Sequence, residues 1–346
     1  MKPTHTRKPT RPRLAAFAAL GACALPAPAQ DRPVEMRYAH WLPPSHALTR
    51  TGWQPWAKSI EEASKGSIKI VYYPAQQLGK ADDHYDMTRD GIADAGFVNP
   101  GYQAGRFPMF AAGELPFLNG KPGPASAAFD AWYRSYAVTE MKDVHFCFAH
   151  LHVGTLHSRT AISEPTQLKG LKVRSANGTV AAMMVALGAT NVRVSAPEAR
   201  DALEKGVADA ITFPWHSILD FAIDKVARFH ADMRLYSSNF AWVINKDWYA
   251  RLSPMQKKVI DDHCNNAWAA RVGADWGDYE DSGEAVLAKA AGHTIVAVSP
   301  QQMNQWRQAV QPVYDQWFSA AKKSGHDGPQ ALEALRKELK ARGGDN

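Results

Sequence analysis

Short apolar runs alternate with longer segments of mixed pattern along the first third of the chain. The runs at residues 35–41, 67–74 and 93–99 predict strands. A segment that begins at Trp53 and a later segment that ends at Gly91 predict helices. Strands that alternate with helices of this length are typical of a parallel sheet with right-handed crossovers. We therefore expect an α/β domain here.

The same order of elements returns later in the chain. Strands are predicted at 168–175, 190–196 and 208–213, with helices at 179–189 and 197–206. Residues 91–95 (GIADA) closely match residues 206–210 (GVADA), and each glycine is expected to end a helix in the left-handed conformation. A chance match is one reading, but the shared order of elements favours two similar α/β domains.

Residues 253–291 contain no proline between Pro254 and the end of the segment, and their apolar positions suit a helix that starts at Ser253. Read as one helix, the segment would be about 58 Å long and would cross both domains. Three internal glycines, 273, 277 and 283, weaken that continuity and leave a break as the alternative, but one helix that crosses both domains is the preferred interpretation. After Pro329, three leucines on one face predict a helix docked on a domain surface, namely Leu332, Leu335 and Leu339.

The N-terminal 29 residues have the pattern of a secretory signal peptide, with a basic head, a short apolar core and small residues at 27–29. Five of the 40 basic residues lie in this segment and no acidic ones do, so the net charge falls from +6 to +1 without it. We therefore expect no nucleic-acid binding. No later apolar run is long enough to span a bilayer, so the mature chain is expected to be soluble and periplasmic. Cys23 stands in an imperfect lipobox, which leaves a lipid anchor as an alternative.

About 317 residues then remain, which is more than one core usually serves, so two domains are expected. Cys147 lies in an apolar run and is interpreted as a buried unpaired residue, although a bond to Cys264 is the alternative. A disulfide framework is excluded.

Motifs of the common enzyme classes are missing: the chain has no GxxxxGK[ST], GxGxxG, HExxH, CxxC or GxSxG sequence. His150 and His152 share one face of a predicted strand, but a metal site would need a third ligand. Packing or a place beside a pocket is the preferred reading of this pair. The chain is therefore interpreted as a binding protein without metal or cofactor.

Ligands of open α/β sheets bind beyond the carboxyl ends of the strands. The predicted strand ends carry an arginine, which suits a carboxylate because its planar fork donates two parallel hydrogen bonds, together with aromatic and amide side chains. A cleft of this kind favours an organic acid with a bulky or aromatic body. The candidate ligand-binding residues are His40, Trp41, Asn99, His152, Arg174, Asn177, Phe213, Trp215 and Asn239.

The sequences LKGLKVRSANG, VSAPEARDALEKGVADA and GRFPMFAAGELPFL resemble the DctP-type substrate-binding proteins of tripartite ATP-independent periplasmic (TRAP) transporters, and the similarity runs from about Met36 to about Ala290. The resemblance implies two α/β domains joined by strands and a long helix, which close on a ligand and deliver it to the small and large permease subunits. It assigns the ligand carboxylate to Arg174, with Asn177 and Asn99 as further contacts. The expected domains are 30–152 plus 239–285 and 153–238 plus 286–346, and a monomer is expected.

Two departures narrow the expected ligand. Sialic-acid-binding members carry an asparagine where Phe213 stands and a second arginine near residues 153–155, and this chain has neither. A monocarboxylate with an aromatic or apolar body is therefore the preferred hypothesis, with His152 or His40 completing its polar contacts. The alternatives are a C4-dicarboxylate receptor, a binding protein of another transporter type, a ligand-sensing periplasmic protein and a periplasmic enzyme.

Overall fold

The strands alternate with helices as the hydrophobic pattern predicts. The computed structural model describes Met1, Pro3, Thr4 and Asp31–Asn346, so most of the expected signal segment, including Cys23, lies outside the described residues. Within 31–346 one mixed sheet contains the strands β1 (Val34–Ala39), β2 (Ile68–Tyr73), β3 (Ala95–Val98), β4 (Val144–Ser158), β5 (Lys172–Arg174), β6 (Thr190–Val192), β7 (Ala210–Phe213), β8 (Phe229–Ala231), β9 (Tyr236–Asn245) and β10 (Thr294–Val296).

Helices cover this sheet. In the same part of the chain they are α1 (Gln54–Ala63), α2 (His84–Arg89), α3 (Pro122–Glu140), α4 (Gly178–Ala186), α5 (Ala199–Glu204), α6 (Ser217–Asp220), α7 (Lys246–Ala250), α8 (Pro254–His263), α9 (Asn266–Lys289), α10 (Pro300–Ala309), α11 (Gln311–Lys323) and α12 (Gly328–Arg342). The three buried leucines of α12 face inward and the helix packs on α3, as its pattern predicts.

Two parallel groups of strands are joined by two long strands that cross between them. The strand order is β2-β1-β3-β9-β4-β7-β5-β6, with β8 on β4 and β10 on β8. Strands β1, β2 and β3 pair in parallel, as do β5, β6 and β7, whereas β4 and β9 run antiparallel to each other and to the groups they join. The expected α/β fold is confirmed: this is the two-domain periplasmic binding protein fold.

The internal duplication extends to individual hydrogen bonds. Gly91 and Gly206 both have a left-handed backbone, with φ of 74° and 69°. An aspartate stands three residues after each glycine: Asp94 accepts from the backbone N–H of Arg37 on β1, and Asp209 accepts from that of Lys172 on β5. The side chains of Arg37 and Lys172 each donate to the carbonyl of the nearby glycine. The two halves therefore repeat the same strand-end geometry.

The prediction of one continuous helix over 253–291 is wrong. The segment forms α8 and α9 with a break at Cys264 and Asn265, where the side chain of Asn265 accepts from the N–H of Trp268 and caps α9. The helix α9 continues through its three glycines. They allow its backbone to approach neighbouring elements closely: a Cβ on Gly277 would lie 2.5 Å from Pro122. The 24 residues of α9 are about 36 Å long, and this helix still contacts elements of both halves.

The interpretation of Cys147 as an unpaired buried residue is also wrong. Cys147 and Cys264 form a disulfide that ties β4 to the end of α8, across 117 residues of sequence. Both residues are buried, so burial alone could not separate a free thiol from a paired one. The bond lies where the predicted long helix breaks.

No helix in the described part of the chain is long and apolar enough to cross a membrane.

Candidate functional site

Arg174 stands at the carboxyl end of β5, the central strand of the second parallel group. Its side chain is buried, with 1% of the residue exposed. Nε donates to the carbonyl of Val194 at 3.0 Å and Nη1 to the carbonyl of Thr212 at 3.2 Å. Nη2 is buried and has no hydrogen-bond partner among residues 31–346. Two carbonyls therefore hold the guanidinium in place while one of its donors stays free.

No carboxylate lies within 4 Å of this guanidinium among the described residues. The face of Phe213 lies beside it instead, with 5.3 Å between the guanidinium carbon and the ring centre. A buried charge without a partner is costly, and burial of this kind is normally relieved by an opposite charge. Arg174 therefore has the surroundings expected of an arginine that binds an anionic ligand.

Arg174 lines a narrow cavity with a volume of about 30 Å³. This volume is far below the roughly 300–1,000 Å³ of small-molecule pockets, so the walls must move apart to admit a ligand. Seven of the seventeen lining residues are Phe, Trp or Tyr. The cavity is lined by Trp41, Leu42, His46, Asn99, Tyr102, His152, Arg174, Ala176, Ala196, Phe213, Pro214, Ser217, Phe221, Tyr236, Ser238, Phe240 and Trp276.

Alternate residues of β9 form the floor of the cavity, because side chains two apart share one face of a strand. Tyr236, Ser238 and Phe240 all line it, and in the antiparallel register Tyr236 lies opposite Gly154 of β4. A Cβ on Gly154 would come within 2.6 Å of the ring and hydroxyl of Tyr236. Glycine at this position gives the tyrosine ring its place beside the cavity.

The ring of Tyr236 fills the space beside Gly154 of β4. Burial raises the pKa of the Tyr236 hydroxyl, so this group stays neutral. Its oxygen has no hydrogen-bond partner among the described residues, like Nη2 of Arg174.

The wall formed by α6 and α9 is polar, but its groups are bonded to one another. The N–H of Leu48 donates to Nδ1 of His46, so Nε2 carries the ring hydrogen and donates to Oγ of Ser217 at 3.1 Å. The Ser217 hydroxyl in turn donates to Glu280. Glu280 also accepts from the backbone N–H of Ser217 and from Nε1 of Trp276. Burial raises the pKa of Glu280 to about 7, and these hydrogen bonds act against the rise.

Arg174 is the one lysine or arginine among the described residues that line the cavity. Two histidines also line it, but burial lowers the pKa of His46 to about 3 and that of His152 to about 4, so both are neutral near pH 7. The cavity thus offers a single fixed positive charge to a ligand.

Five of the nine residues that the sequence predicts for the site line this cavity: Arg174, Trp41, Asn99, His152 and Phe213. The ring of Trp41 stacks on Phe97 at 5.4 Å, and its Nε1 has no hydrogen-bond partner among the described residues. These residues come from both halves of the chain, so the duplication places the strand ends around one crevice.

His40 and Trp215 lie outside the cavity. His40 is buried against Trp53, with 3.6 Å between the ring centres. Trp215 packs edge-on against His157 at 5.5 Å. His157 donates from Nε2 to the carbonyl of Phe213, and its Nδ1 lies 2.8 Å from Nδ1 of His230. Both predicted residues follow strand ends, but the turns direct them into the core.

Asn177 and Asn239 also lie outside the cavity. Asn177 caps α4: its Oδ1 accepts from the N–H of Val180 at 2.8 Å, while its Nδ2 donates to the carbonyl of Ser237 at 3.1 Å. It borders a separate and larger pocket next to Tyr102, with a volume of about 110 Å³. Asn239 is fully buried beside Gly113, on the face of β9 opposite to the cavity floor.

Sequence reasoning missed several cavity residues, including His46, Ser217, Tyr236 and Trp276. Tyr236 precedes the part of β9 that resembles other family members, and Trp276 is one of many apolar positions on α9. Neither pattern tells a cavity wall from ordinary core. The run PWHS at 214–217 does follow a predicted strand end directly, so Ser217 is the residue whose position could have been noticed.

Tyr102 closes the cavity between the two halves. It follows β3 in the first half, and its hydroxyl accepts from the N–H of Ala196 in the second half at 3.0 Å. Its carbonyl accepts from Nη2 of Arg193 at 3.1 Å. These contacts, together with the burial of Arg174, describe a closed arrangement of the cleft.

A larger depression, with a volume of about 250 Å³, lies between α4, α11 and residues 100–114. Its wall is apolar and Glu114 is the ionisable group in it. Burial raises the pKa of Glu114 to about 8, and Thr179 donates to this carboxyl at 2.8 Å. An anion would find no counter-charge there, so the smaller cavity at Arg174 is the candidate site. Within the described residues no cluster of three or more His, Cys, Asp or Glu could hold a metal.

Two α/β halves that enclose a buried arginine in an aromatic cavity define a binding protein for a small anion. Residues 38–321 match the family model DctP, the bacterial extracellular solute-binding proteins of family 7. The chain belongs to this family, whose members are the extracytoplasmic solute receptors of TRAP transporters.

Solved structures and a curated relative agree with the assignment. A TRAP solute-binding protein of Rhodoferax ferrireducens in complex with copurified benzoate has a TM-score of 0.86 and 28% identity, covering 90% of this chain and 98% of that one. One of Bordetella bronchiseptica with bound (R)- and (S)-mandelate has a TM-score of 0.84 and 29% identity, covering 89% and 99%. The ectoine-binding periplasmic protein TeaA of Halomonas elongata is 22% identical over 298 residues, 82% of this chain and 83% of the relative.

Proposed function

We propose that this protein binds an aromatic monocarboxylate, with the carboxylate on Arg174 and the ring between the aromatic walls of the cavity. The observation that carries the proposal is the free Nη2 of a buried arginine that has no carboxylate partner among the described residues. A carboxylate there would supply the missing charge and accept a charge-assisted hydrogen bond. The neutral hydroxyl of Tyr236 and the indole N–H of Trp41 are further donors along the same wall.

The walls favour a flat apolar body over an aliphatic diacid. Phe213, Phe240 and Trp276 line the cavity, and their faces and edges suit offset or edge-on packing with another ring. A second carboxylate would lack a second fixed cation, because His46 and His152 are neutral near pH 7. The ligands of the two structural relatives, benzoate and mandelate, have the same chemistry of one carboxylate on one aromatic ring.

Capture is proposed to proceed by closure of residues 30–152 plus 239–285 on residues 153–238 plus 286–346. A ligand that contacts both parts stabilises the closed form by its differential affinity for that form. The contacts of Tyr102 with Ala196 and Arg193 support this view, because they join the two parts next to the cavity. The closed protein would act in the periplasm as a monomer and deliver its ligand, chemically unchanged, to the small and large permease subunits.

A thermal-shift screen tests the proposal against its nearest alternative, a C4-dicarboxylate receptor. Benzoate, mandelate, succinate, malate and ectoine are added at the same concentration, since a ligand at 100 times its Kd adds about 2.7 kcal/mol to stability. We expect benzoate or mandelate to raise the Tm and the diacids to leave it unchanged. A shift with succinate or malate alone would refute the proposal.

A further inference from the structure

His152 leaves one ring nitrogen open toward the ligand cavity. Its Nδ1 lies 3.3 Å from the carbonyl oxygen of Val153. A carbonyl oxygen only accepts, so Nδ1 carries the ring hydrogen and donates to it. Nε2 makes no hydrogen bond with any residue of the described part of the chain, and the side chain lines the cavity.

The ring is neutral, which makes Nε2 an acceptor. Burial lowers the pKa of His152 to about 4. The ring is also held in place, because it packs edge-on against Trp276 with 4.5 Å between the ring centres and against Phe240 at 5.3 Å. Nε2 therefore presents a lone pair in a fixed position.

The other polar side chains of the cavity differ from His152 in the hydrogen bonds that they can donate or accept. Arg174 and Trp41 can only donate, and the hydroxyls of Tyr236 and Ser238 can donate or accept. The Nδ1 lone pair of His46 and the Oδ1 of Asn99 are acceptors, but both already accept a backbone N–H. Among the described lining residues, His152 is thus the side chain with a free group that can accept but not donate.

The position of His152 separates it from the carboxylate end of the cavity. On β4 it lies opposite Ser238, two residues along β9 from Tyr236. Two residues of a strand span about 7 Å, which is comparable with the length of one substituted aromatic ring. A ring whose carboxylate sits at Arg174 and Tyr236 would direct its far edge toward Nε2.

We propose that His152 selects a ligand with a hydroxyl group on its aromatic ring, at the meta or para position relative to the carboxyl-bearing carbon. This proposal rests on the proposed function, binding of an aromatic monocarboxylate. The ring hydroxyl would donate to Nε2. A ligand without that donor leaves a buried lone pair unsatisfied, and binding sites built to hydrogen-bond a hydroxyl discriminate strongly against analogues that lack it.

The test is calorimetric titration of the wild-type protein with five acids: benzoate, 3- and 4-hydroxybenzoate, and 3- and 4-methoxybenzoate. The methoxy compounds keep the oxygen and remove its hydrogen. We expect one hydroxybenzoate to bind roughly 10- to 100-fold more tightly than benzoate and than its own methoxy ether, as the cost of an unsatisfied buried acceptor predicts. This comparison needs no variant and so does not depend on how a substitution folds.

Two phenylalanine substitutions test whether the selectivity depends on His152. His152→Phe keeps the ring volume and removes the acceptor, so the preference for the hydroxyl is expected to disappear while benzoate still binds. His150→Phe is the matched control: His150 is the neighbouring histidine on the same face of β4, is fully buried, and does not line the cavity. The control is expected to keep the wild-type preference.

The outcomes separate this proposal from the one on which it rests. Equal binding of benzoate and both hydroxybenzoates, or a preference that survives His152→Phe, would overturn the role of His152 and leave aromatic monocarboxylate binding intact. If none of the five monocarboxylates binds, the proposed function fails together with it.

Discussion

Arg174 shows how a single residue acquires a binding role from its surroundings. Nε and Nη1 donate to the carbonyls of Val194 and Thr212, and Nη2 has no hydrogen-bond partner among residues 31–346. A lysine could not reproduce this arrangement, since its ammonium is a mobile point charge rather than a planar fork. The specificity of the site therefore depends on two backbone groups as much as on the side chain.

Gly154 is a residue whose role follows from the space around it. We expect Gly154→Ala to destabilise the protein by about 1–3 kcal/mol, because the new Cβ would lie 2.6 Å from the buried ring of Tyr236. The displaced ring would also enter the cavity and weaken the binding of benzoate. Urea unfolding and calorimetry measure the two effects.

A double-mutant cycle provides the control for this prediction. In a Tyr236→Ala background the clash is absent, so Gly154→Ala should cost much less stability there than in the wild type. An equal cost in both backgrounds would show that the glycine serves the backbone of β4 and not the tyrosine.

At the scale of elements, much of the architecture could be predicted from the sequence. The order of strands and helices, the left-handed Gly91 and Gly206 and the buried face of α12 all follow from local pattern. The position of the break between α8 and α9 could not be predicted. The internal glycines suggested a break further along, but they allow close packing of α9, and the cap at Asn265 depends on tertiary structure.

A cavity residue could be predicted only where it stands at the end of a strand or directly after it. Arg174, Trp41, Asn99 and Phe213 stand at such positions or directly after them. Residues that reach the cavity from the middle of a helix or strand, such as Trp276, have the same pattern as core residues. Their role depends on the long-range placement of α9, which no local pattern encodes.

The disulfide joins β4 to the end of α8, and its removal should destabilise the fold. We expect the double variant Cys147→Ala/Cys264→Ala to lose about 2–5 kcal/mol in the free energy of unfolding, because a link across 117 residues restricts the unfolded chain. Neither cysteine lines the cavity, so the affinity for benzoate should stay within about twofold. Urea unfolding of the two proteins measures the difference.

Reduction of the wild-type protein is the control for the disulfide. Treatment with a reductant should lower its stability toward that of the double variant and leave the double variant unchanged. Identical unfolding curves for the wild type and the variant under oxidising conditions would contradict the structure.

At the scale of the whole molecule, seven buried histidines with lowered pKa values make stability depend on pH. A histidine whose folded pKa lies below its unfolded value of about 6.5 binds fewer protons in the folded state, so its contribution is complete above pH 6.5 and is lost as the pH falls through the folded pKa. The seven are His40, His46, His84, His150, His152, His157 and His230.

Glu114 and Glu280 act in the opposite direction, because their pKa values are raised to about 8 and about 7 and their neutral forms favour the fold at lower pH. Further carboxyl groups with raised pKa values act in the same direction, namely those of Asp82, Asp130, Glu140, Asp220, Asp281 and Glu284. The histidine contribution is therefore measured by comparing the wild type with a histidine variant. Both ring nitrogens of His150 lack hydrogen-bond partners among the described residues, so His150→Phe removes one titrating group without breaking a hydrogen bond. The variant should lose about 1.4 kcal/mol less per pH unit below pH 6.

Urea unfolding at half-unit steps of pH checks this prediction. The control is a comparison at pH 8, where the histidines are neutral in both states and the two proteins should show the same slope with pH. Equal slopes of stability with pH for the wild type and His150→Phe below pH 6 would contradict the account.

The most direct test of the central claim is calorimetric titration of benzoate and 3-hydroxybenzoate into the wild-type protein, Arg174→Lys and Arg134→Lys. Arg134 is the matched control because its guanidinium is already paired with Asp130 at 2.9 Å, outside the cavity. We expect Arg174→Lys to lose about 2–5 kcal/mol of binding free energy while remaining folded by its thermal transition. Arg134→Lys should keep the wild-type affinity. Binding by Arg174→Lys within about threefold of the wild type would contradict the assignment of the carboxylate to Arg174.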